Sequence, residues 1–421
     1  MGGLQDFLIL LTLLLEVAVL FYIEKKAWHT YYTPLNFLMI PYVIVLLITA
    51  SVAGSDFGFV ELYYPSIIVW NVGLIIFAIP SFVLSFLFCK NKISLDREFK
   101  QCSKQNIVII ISFILALLFI LHFISFRGSG APSLGTDEFK EGFSGGGFWG
   151  HLRIFTIPLL IMMIYYANRK SWWINFFILV FILVGFFYNV KGWIIIPILS
   201  GVFMRLYTDK MKLSLRLCLI VFLGGILLFF VSYGLAIIIA FGNELEMNFI
   251  YFIIGHFFHY LTSGILGFSM DVCKNLPDAG SFEILWTPII NIINVVTGSD
   301  ELLIPVNPIF FNSGLNLTNV RTFFGTIYIY TDAFEFVLYI LLSSTLMYCL
   351  KLAILKWNNI YVYTIYFFEC GLLAMGWFEF YYFHLIVFEL PVFVLLMWLA
   401  DRLIFTKEQT TNDICCNEEQ S

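Results

Sequence analysis

Charge is scarce in this chain. Only 12% of its 421 residues are Asp, Glu, Lys or Arg, against about 25% in a soluble domain. A water-soluble globule of this size is therefore excluded. Cysteine is sparse too. None of the eight cysteines stands in a Cys-x-x-Cys pair, and no two are placed for an exported disulfide. No glycine-rich segment ends in the Lys-Ser/Thr of a nucleotide-binding loop. His256 and His259 share one helical face but lack a third ligand nearby, so they read as an interfacial aromatic face and no metal is expected. Internal repeats and low-complexity tracts are missing. No separate leader is expected either: the first apolar run continues past leader length into Glu24-Lys25-Lys26 and lacks a basic start.

What the chain has is hydrocarbon, with 61% hydrophobic and 19% aromatic residues. The apolar runs are continuous rather than alternating, which excludes a transmembrane β-barrel. The expected fold is all-α: a polytopic integral membrane helical bundle of about 11 transmembrane helices. The runs are 4–23, 35–53, 65–88, 106–126, 151–167, 172–188, 192–208, 215–241, 332–350, 358–376 and 381–400, each near the ~17–25 residues a span needs. Residues 1–421 read as one transmembrane domain with external loops 127–150 and 242–331 and a cytoplasmic tail 402–421. The long loop before the ninth span holds two more apolar runs, 248–270 and 284–296. Either both span or neither does, because one alone would invert everything downstream. The second is short for a span, so both are expected to stay on the outer side as interfacial or re-entrant segments.

Orientation follows from the basic residues. Of 23 Lys and Arg, all but Arg127, Lys140, Arg153, Lys191, Lys274 and Arg321 fall on alternate connections of one side. The positive-inside rule puts that side in the cytoplasm, with the amino terminus outside and the carboxyl terminus inside. Many of the tryptophans (Trp28, Trp149, Trp172, Trp173, Trp377, Trp398) lie at span ends, as an interfacial belt requires.

The exceptions point to the chemistry. Cations on the translocated side run against the insertion bias, and Arg127, Arg153, Lys191 and Arg321 all sit near span ends. A guanidinium grips phosphate oxygens as a planar fork, whereas the bland role for each is snorkelling to a lipid head group. Arg153 and Arg321 are the stronger phosphate candidates. His151 stands beside Arg153. Lys191 lies in the tight turn Tyr188-Asn-Val-Lys-Gly192, and Arg127 opens the Gly/Ser-rich loop 128–150, read as a connector or mobile lid. Glu369, Glu379, His384 and Glu389 fall in the last two spans. Ionisable groups there are costly and face the bundle interior or a wet cavity, so Glu379 and His384 are candidate acid–base groups, against a plain structural role as interhelical hydrogen-bonding polars. Asp332, with Glu335 three residues on, fits a capping box that starts the ninth span. It is also a candidate base, because it shares a stretch with Arg321, and Thr322 to Thr331 are expected above it at the membrane surface.

The segment Asn319-Val-Arg-Thr-Phe-Phe-Gly-Thr-Ile-Tyr-Ile-Tyr-Thr-Asp332 entering a span, with one dominant outer loop late in the chain, resembles the Wzy-type O-antigen or oligosaccharide repeat-unit polymerases. Those proteins commonly carry Asp-Phe-Gly after a Thr/Tyr-rich segment, where this chain has Asp332-Ala333-Phe334. The turn at Asn189-Val-Lys191-Gly192 matches a place where relatives often carry Ser/Thr-Arg. The resemblance implies a GT-C-like, metal-independent membrane glycosyltransferase with no cofactor. It would work on the outer face of the bacterial inner membrane and move a glycan from undecaprenyl diphosphate onto a hydroxyl of an incoming lipid-linked repeat unit. Its partners would be the lipid-linked oligosaccharide, the lipid bilayer and a chain-length regulator, with no nucleic acid. An O-antigen ligase of the same outline remains open. So does a polysaccharide flippase, which predicts repeated halves and midplane charges on several spans. A membrane O-acyltransferase fits less well, because this chain lacks a clear catalytic histidine in a polar setting on the cytoplasmic side.

Overall fold

The computed structural model describes residues 2–55, 58–88, 104–130, 132, 137–145, 147–168, 170–188, 192–220, 223–227, 229–230, 247–274, 282–299, 301–304 and 306–418. Helices dominate: α1 (Gly2–Trp28), α2 (Pro34–Val52), α3 (Ser66–Phe88), α4 (Lys104–Gly128), the single turn α5 (Asp137–Lys140), α6 (Gly147–Tyr166), α7 (Trp172–Tyr188) and α8 (Gly192–Tyr207) come first. Then follow α9 (Met247–Cys273), α10 (Thr287–Thr297), α11 (Phe323–Ile329), α12 (Ala333–Lys356), α13 (Ile360–Ala374) and α14 (Ile386–Glu418). A short antiparallel hairpin pairs β1 (Phe311–Asn312) with β2 (Leu317–Thr318).

The chain is a multi-pass helical membrane protein. Among the described residues six helices, α1, α2, α3, α4, α6 and α12, are long and apolar enough to cross a bilayer. Of the other expected spans, α7, α8 and α13 are apolar but have 17, 16 and 15 residues. At ~1.5 Å per residue α13 is about 22 Å long, short of a ~30 Å hydrocarbon core. The run 215–241 lies largely outside the described residues. The last expected span, 381–400, begins late. The helix ends at Ala374, and at Gly376 an added side-chain carbon would meet Leu373 O and the Leu38 and Phe323 side chains at 3.0 to 3.1 Å. The chain regains a long helix only at Ile386, after a 3₁₀ turn over Tyr381–Phe383.

Contacts divide the chain into two compact units. The first comprises residues 1–95, 216–356 and 369–387, the second 96–215, 357–368 and 388–421.

In the first unit α12 runs alongside α3 in the same direction, the Ser344 hydroxyl donating to Phe77 O. At one end Glu24 accepts from Ser81 and Tyr348, Trp28 donates to Ser81, and the Lys351 ammonium bonds Tyr32 O. The ends carrying Lys25, Lys26 and Lys356 therefore meet, as the alternation of basic connections predicts. The opposite end joins the 58–65 connection to the hairpin and to α9 through Val60 N to Ser313 O and Tyr63 N to Ser269 Oγ. From His256 to Ser269, α9 keeps touching connections of that one end.

The Thr322 to Thr331 stretch, expected at the membrane surface, instead folds inward. Thr322 caps α11 by accepting from Gly325 N and also accepts from Trp70 Nε1 at 3.0 Å. Phe324 lies so close to Gly73 of α3 that an added methyl would sit 2.7 Å from its ring. The polar residues of this stretch satisfy themselves locally, Thr326 on Arg321 O and Thr331 on Ile327 O. Its aromatic side chains are thus free to bury. The capping box forms as the spacing predicts: Asp332 N donates to Glu335 Oε2 at 3.0 Å and Glu335 N to Asp332 Oδ1 at 2.7 Å.

In the second unit α6 packs on α7 and α8. Arg205 of α8 stops α6 by donating to Ile164 O and Ala167 O at 2.9 and 2.7 Å, satisfying carbonyls that a helix end leaves open. The Gly/Ser-rich connection is more than a connector. Residues 137–145 form a helical turn followed by a π-turn, and Phe139 and Phe143 bury against Phe119 and Val184. His122 Nε2 meets Phe143 O at 2.9 Å.

Candidate functional site

The non-helical stretch after α13 is held from two sides. The first amide of α11, Phe323 N, donates to Gly376 O at 2.6 Å. α9 passes beneath the turn with Gly264 against Trp377 O and Phe378 O, where a side chain's first carbon would stand 2.5 and 2.3 Å away. Only hydrogen fits there. The stretch so fixed presents Glu379 and His384 together, Glu379 Oε1 at 3.4 Å from His384 Nε2, each about a fifth exposed. Beside them the Tyr382 hydroxyl donates to Glu369 Oε2 at 2.8 Å, and Phe380 packs on Phe323, Tyr339 and Phe383.

Arg321 belongs to the same unit, but its guanidinium is only 1% exposed. Nε and Nη2 engage both oxygens of Asp271 at the end of α9, and Nη1 donates to Val320 O. Close by, the Tyr330 hydroxyl donates to Asn307 Oδ1 at 2.8 Å; burial pushes that phenol up to about 12, Arg321 pulling it down and Asp271 adding to the rise. As folded, Arg321 holds the loop that precedes α11 to α9, with its fork already filled by a carboxylate. Asp332 is exposed, and one of its oxygens is committed to the cap.

The second unit gathers another set. His151, in the first turns of α6, is 55% exposed, and its Nδ1 lies 2.8 Å from Glu389 Oε1 at the start of α14. A carboxylate at Nδ1 orients the ring and favours the tautomer that carries its proton on Nδ1. The other Glu389 oxygen is buried, with no hydrogen-bond partner among the described residues. Two residues along α6, on the opposite face, Arg153 lines a small cleft of about 20 Å³ with Thr156, Gly185, Trp193 and Ile194. Arg127 is exposed and donates to Pro132 O at 3.2 Å. Lys191 lies outside the described residues.

The structure thus pairs Glu379 with His384 and His151 with Glu389, sets Arg153 in a cleft, and closes Arg321 on Asp271. Sequence reasoning missed Asp271, Asn307 and Tyr330. The usable signal for Asp271 was an acidic residue at the end of an apolar run, on the same side as an unexplained arginine.

A family of unknown function, DUF6337, matches residues 58–407. The chain belongs to this family. No curated protein and no solved structure matches it.

Proposed function

We propose that this protein is a membrane glycosyltransferase that polymerises lipid-linked oligosaccharide repeat units, of the kind carried on undecaprenyl diphosphate, at the outer face of the bacterial inner membrane. One observation carries the reading: the exposed His151 imidazole, oriented through Nδ1 by Glu389, on the same helix as an arginine that lines a cleft. Glycosyl transfer needs a base for the acceptor hydroxyl and a cation for the departing diphosphate. His151 Nε2 takes the hydroxyl proton, and the acceptor oxygen bonds to the anomeric carbon. The bond from that carbon to the diphosphate oxygen breaks, and Arg153 stabilises the charge that develops there. The two groups stand on opposite faces of α6, ~10 Å across, so donor and acceptor sugars would meet at His151 while the diphosphate would have to pass round the first turns of the helix to reach Arg153. The resemblance of residues 319–332 to repeat-unit polymerases and the multi-pass helical fold agree with the reading. A chain-length regulator is the expected protein partner.

The test is the purified protein in vesicles with a lipid-linked repeat unit. Wild type makes chains. His151→Ala slows chain growth by the ~10²–10⁴-fold typical of a lost acid–base group, and Arg153→Ala is comparably impaired. Normal chains from His151→Ala would remove the base assignment. Transfer of the glycan only to a lipid A core acceptor, or movement across the membrane without bond formation, would replace polymerisation by ligation or transport.

A further inference from the structure

In the first unit, α10 and the strand-like return after it make a surface that the proposed chemistry does not use. α10 is 11 residues long and strongly two-faced. Thr287, Asn291 and Asn294 fall on one side, and Ile289, Ile292, Ile293 and Val296 on the other. The polar side is consumed internally. Asn291 exchanges two hydrogen bonds with Leu303, Nδ2 to O and N to Oδ1, both 2.8 Å, and Asn294 Nδ2 donates to Glu301 O. The apolar side is bare: Ile292 is 45%, Ile293 54% and Val296 80% exposed, and Leu302 and Ile304 on the return are 56% and 67% exposed. No charged residue occurs from Ile284 to Ser299, though the exposed Glu283 precedes this stretch and the exposed Glu301 opens the return.

We infer that α10 and residues 301–304 form a half-depth wedge whose partner is the hydrocarbon of one membrane leaflet. Three observations select lipid over water or protein. The Asn291 and Asn294 amides pair with the backbone of the return, as amides must where no water can serve them, while the exposed Glu301 carboxylate would lie at the head-group end of the wedge. Depth agrees as well. Trp286, immediately before α10, packs on Tyr339 with ring centroids 5.4 Å apart. Tyr339 stands six residues into the spanning helix α12, about 9 Å below its start at ~1.5 Å per residue. Finally, the wedge continues an apolar belt, for Tyr339 is flanked on α12 by the exposed Leu338 and Leu342. Because Phe282–Trp286 also touches the Tyr381–Phe383 turn, the wedge sets the level of the Glu379–His384 segment relative to the bilayer.

The experiment places the photoreactive residue p-benzoylphenylalanine at Val296, and separately at Ile293, in the full chain. The protein is reconstituted in vesicles of phosphatidylethanolamine and phosphatidylglycerol. Both positions are exposed, so folding is not at stake; elution as a single species checks it. After illumination, mass spectrometry should find phospholipid adducts at both positions and none with the same residue at Lys212, in a polar connection. Adducts to a second copy of the chain would make the wedge a self-association surface and overturn the inference. So would an absence of adducts at both positions, or equal lipid labelling at Lys212.

Discussion

Arg321 and Asp271, fifty residues apart in sequence, form an ion pair buried on both sides, the guanidinium meeting both carboxylate oxygens. The pair ties the loop that precedes α11 to the end of α9. Removing one partner strands a charge away from water, which costs about 3–5 kcal/mol, whereas replacing both by apolar residues of similar volume is often neutral. Arg321→Ala and Asp271→Ala should therefore each lower the thermal midpoint in detergent sharply, and Arg321→Met with Asp271→Leu should restore it. If the restored double variant also makes chains, Arg321 is a fastener only. If it is stable and inactive, the arginine takes part in the chemistry as well.

Asp332 offers a milder case. Its reciprocal bonds with Glu335 make it the cap of α12. Asp332→Asn keeps an oxygen for Glu335 N and should leave both stability and chain formation near wild type. Asp332→Ala should cost about 1 kcal/mol and still make chains. Loss of activity in Asp332→Asn, at unchanged stability, would return this residue to the list of bases.

How much of this was legible beforehand depended on the range of the interaction. The helical membrane class, the cap at Asp332 and the shared end of Lys25, Lys26 and Lys356 follow from composition, local spacing and charge alternation. These signals need no knowledge of partners. The inward fold of α11 was not legible, because whether Phe323 and Phe324 bury depends on Gly73 of α3, some 250 residues away. Arg321 reads from sequence as an unsatisfied cation for the same reason: its partner is contributed by α9. His151 and Arg153 were visible as unusual residues, but the orientation of the imidazole by Glu389 required the fold.

His259 gives a pH prediction. Its Nδ1 is 3.0 Å from Ser313 Oγ in the hairpin. Burial, with the neighbouring His256 adding to the effect, lowers its pKa from 6.5 to about 4. The folded state thus resists a proton that the unfolded chain accepts, and the stability contributed by neutral His259 is complete above about pH 6.5. It falls as pH drops from there toward 4. Lowering pH from 7.5 to 4.5 should reduce the thermal midpoint of wild type more than that of His259→Asn. Equal shifts in both proteins would mean that His259 is not a linked group.

Gly264 tests how rigidly the Glu379 segment is held. The nearest atoms to an added methyl are the backbone oxygens of Trp377 and Phe378, so no side-chain rotation can make room. Gly264→Ala should cost ~1–3 kcal/mol by overpacking and loosen the 376–384 turn, although it alters no polar group. Faster amide exchange at Phe378 and Glu379 is the readout.

Phe143 tests whether the 137–145 turn is an integral part of its unit. It is 1% exposed among Phe119, Phe139 and Val184, and its carbonyl meets the imidazole of His122, which stacks on Trp149 at 3.7 Å. A mobile lid would lose little when this ring is cut back. A packed plug loses the transfer energy of a phenyl group and gains a cavity, together about 3–5 kcal/mol. Phe143→Ala should therefore destabilise the protein by that order and expose residues 137–145 to added protease. Phe148→Ala, at a 67% exposed ring next to Trp149, should do neither. Unchanged stability and unchanged proteolysis in Phe143→Ala would mean that the Gly/Ser-rich connection contributes nothing to holding the second unit together.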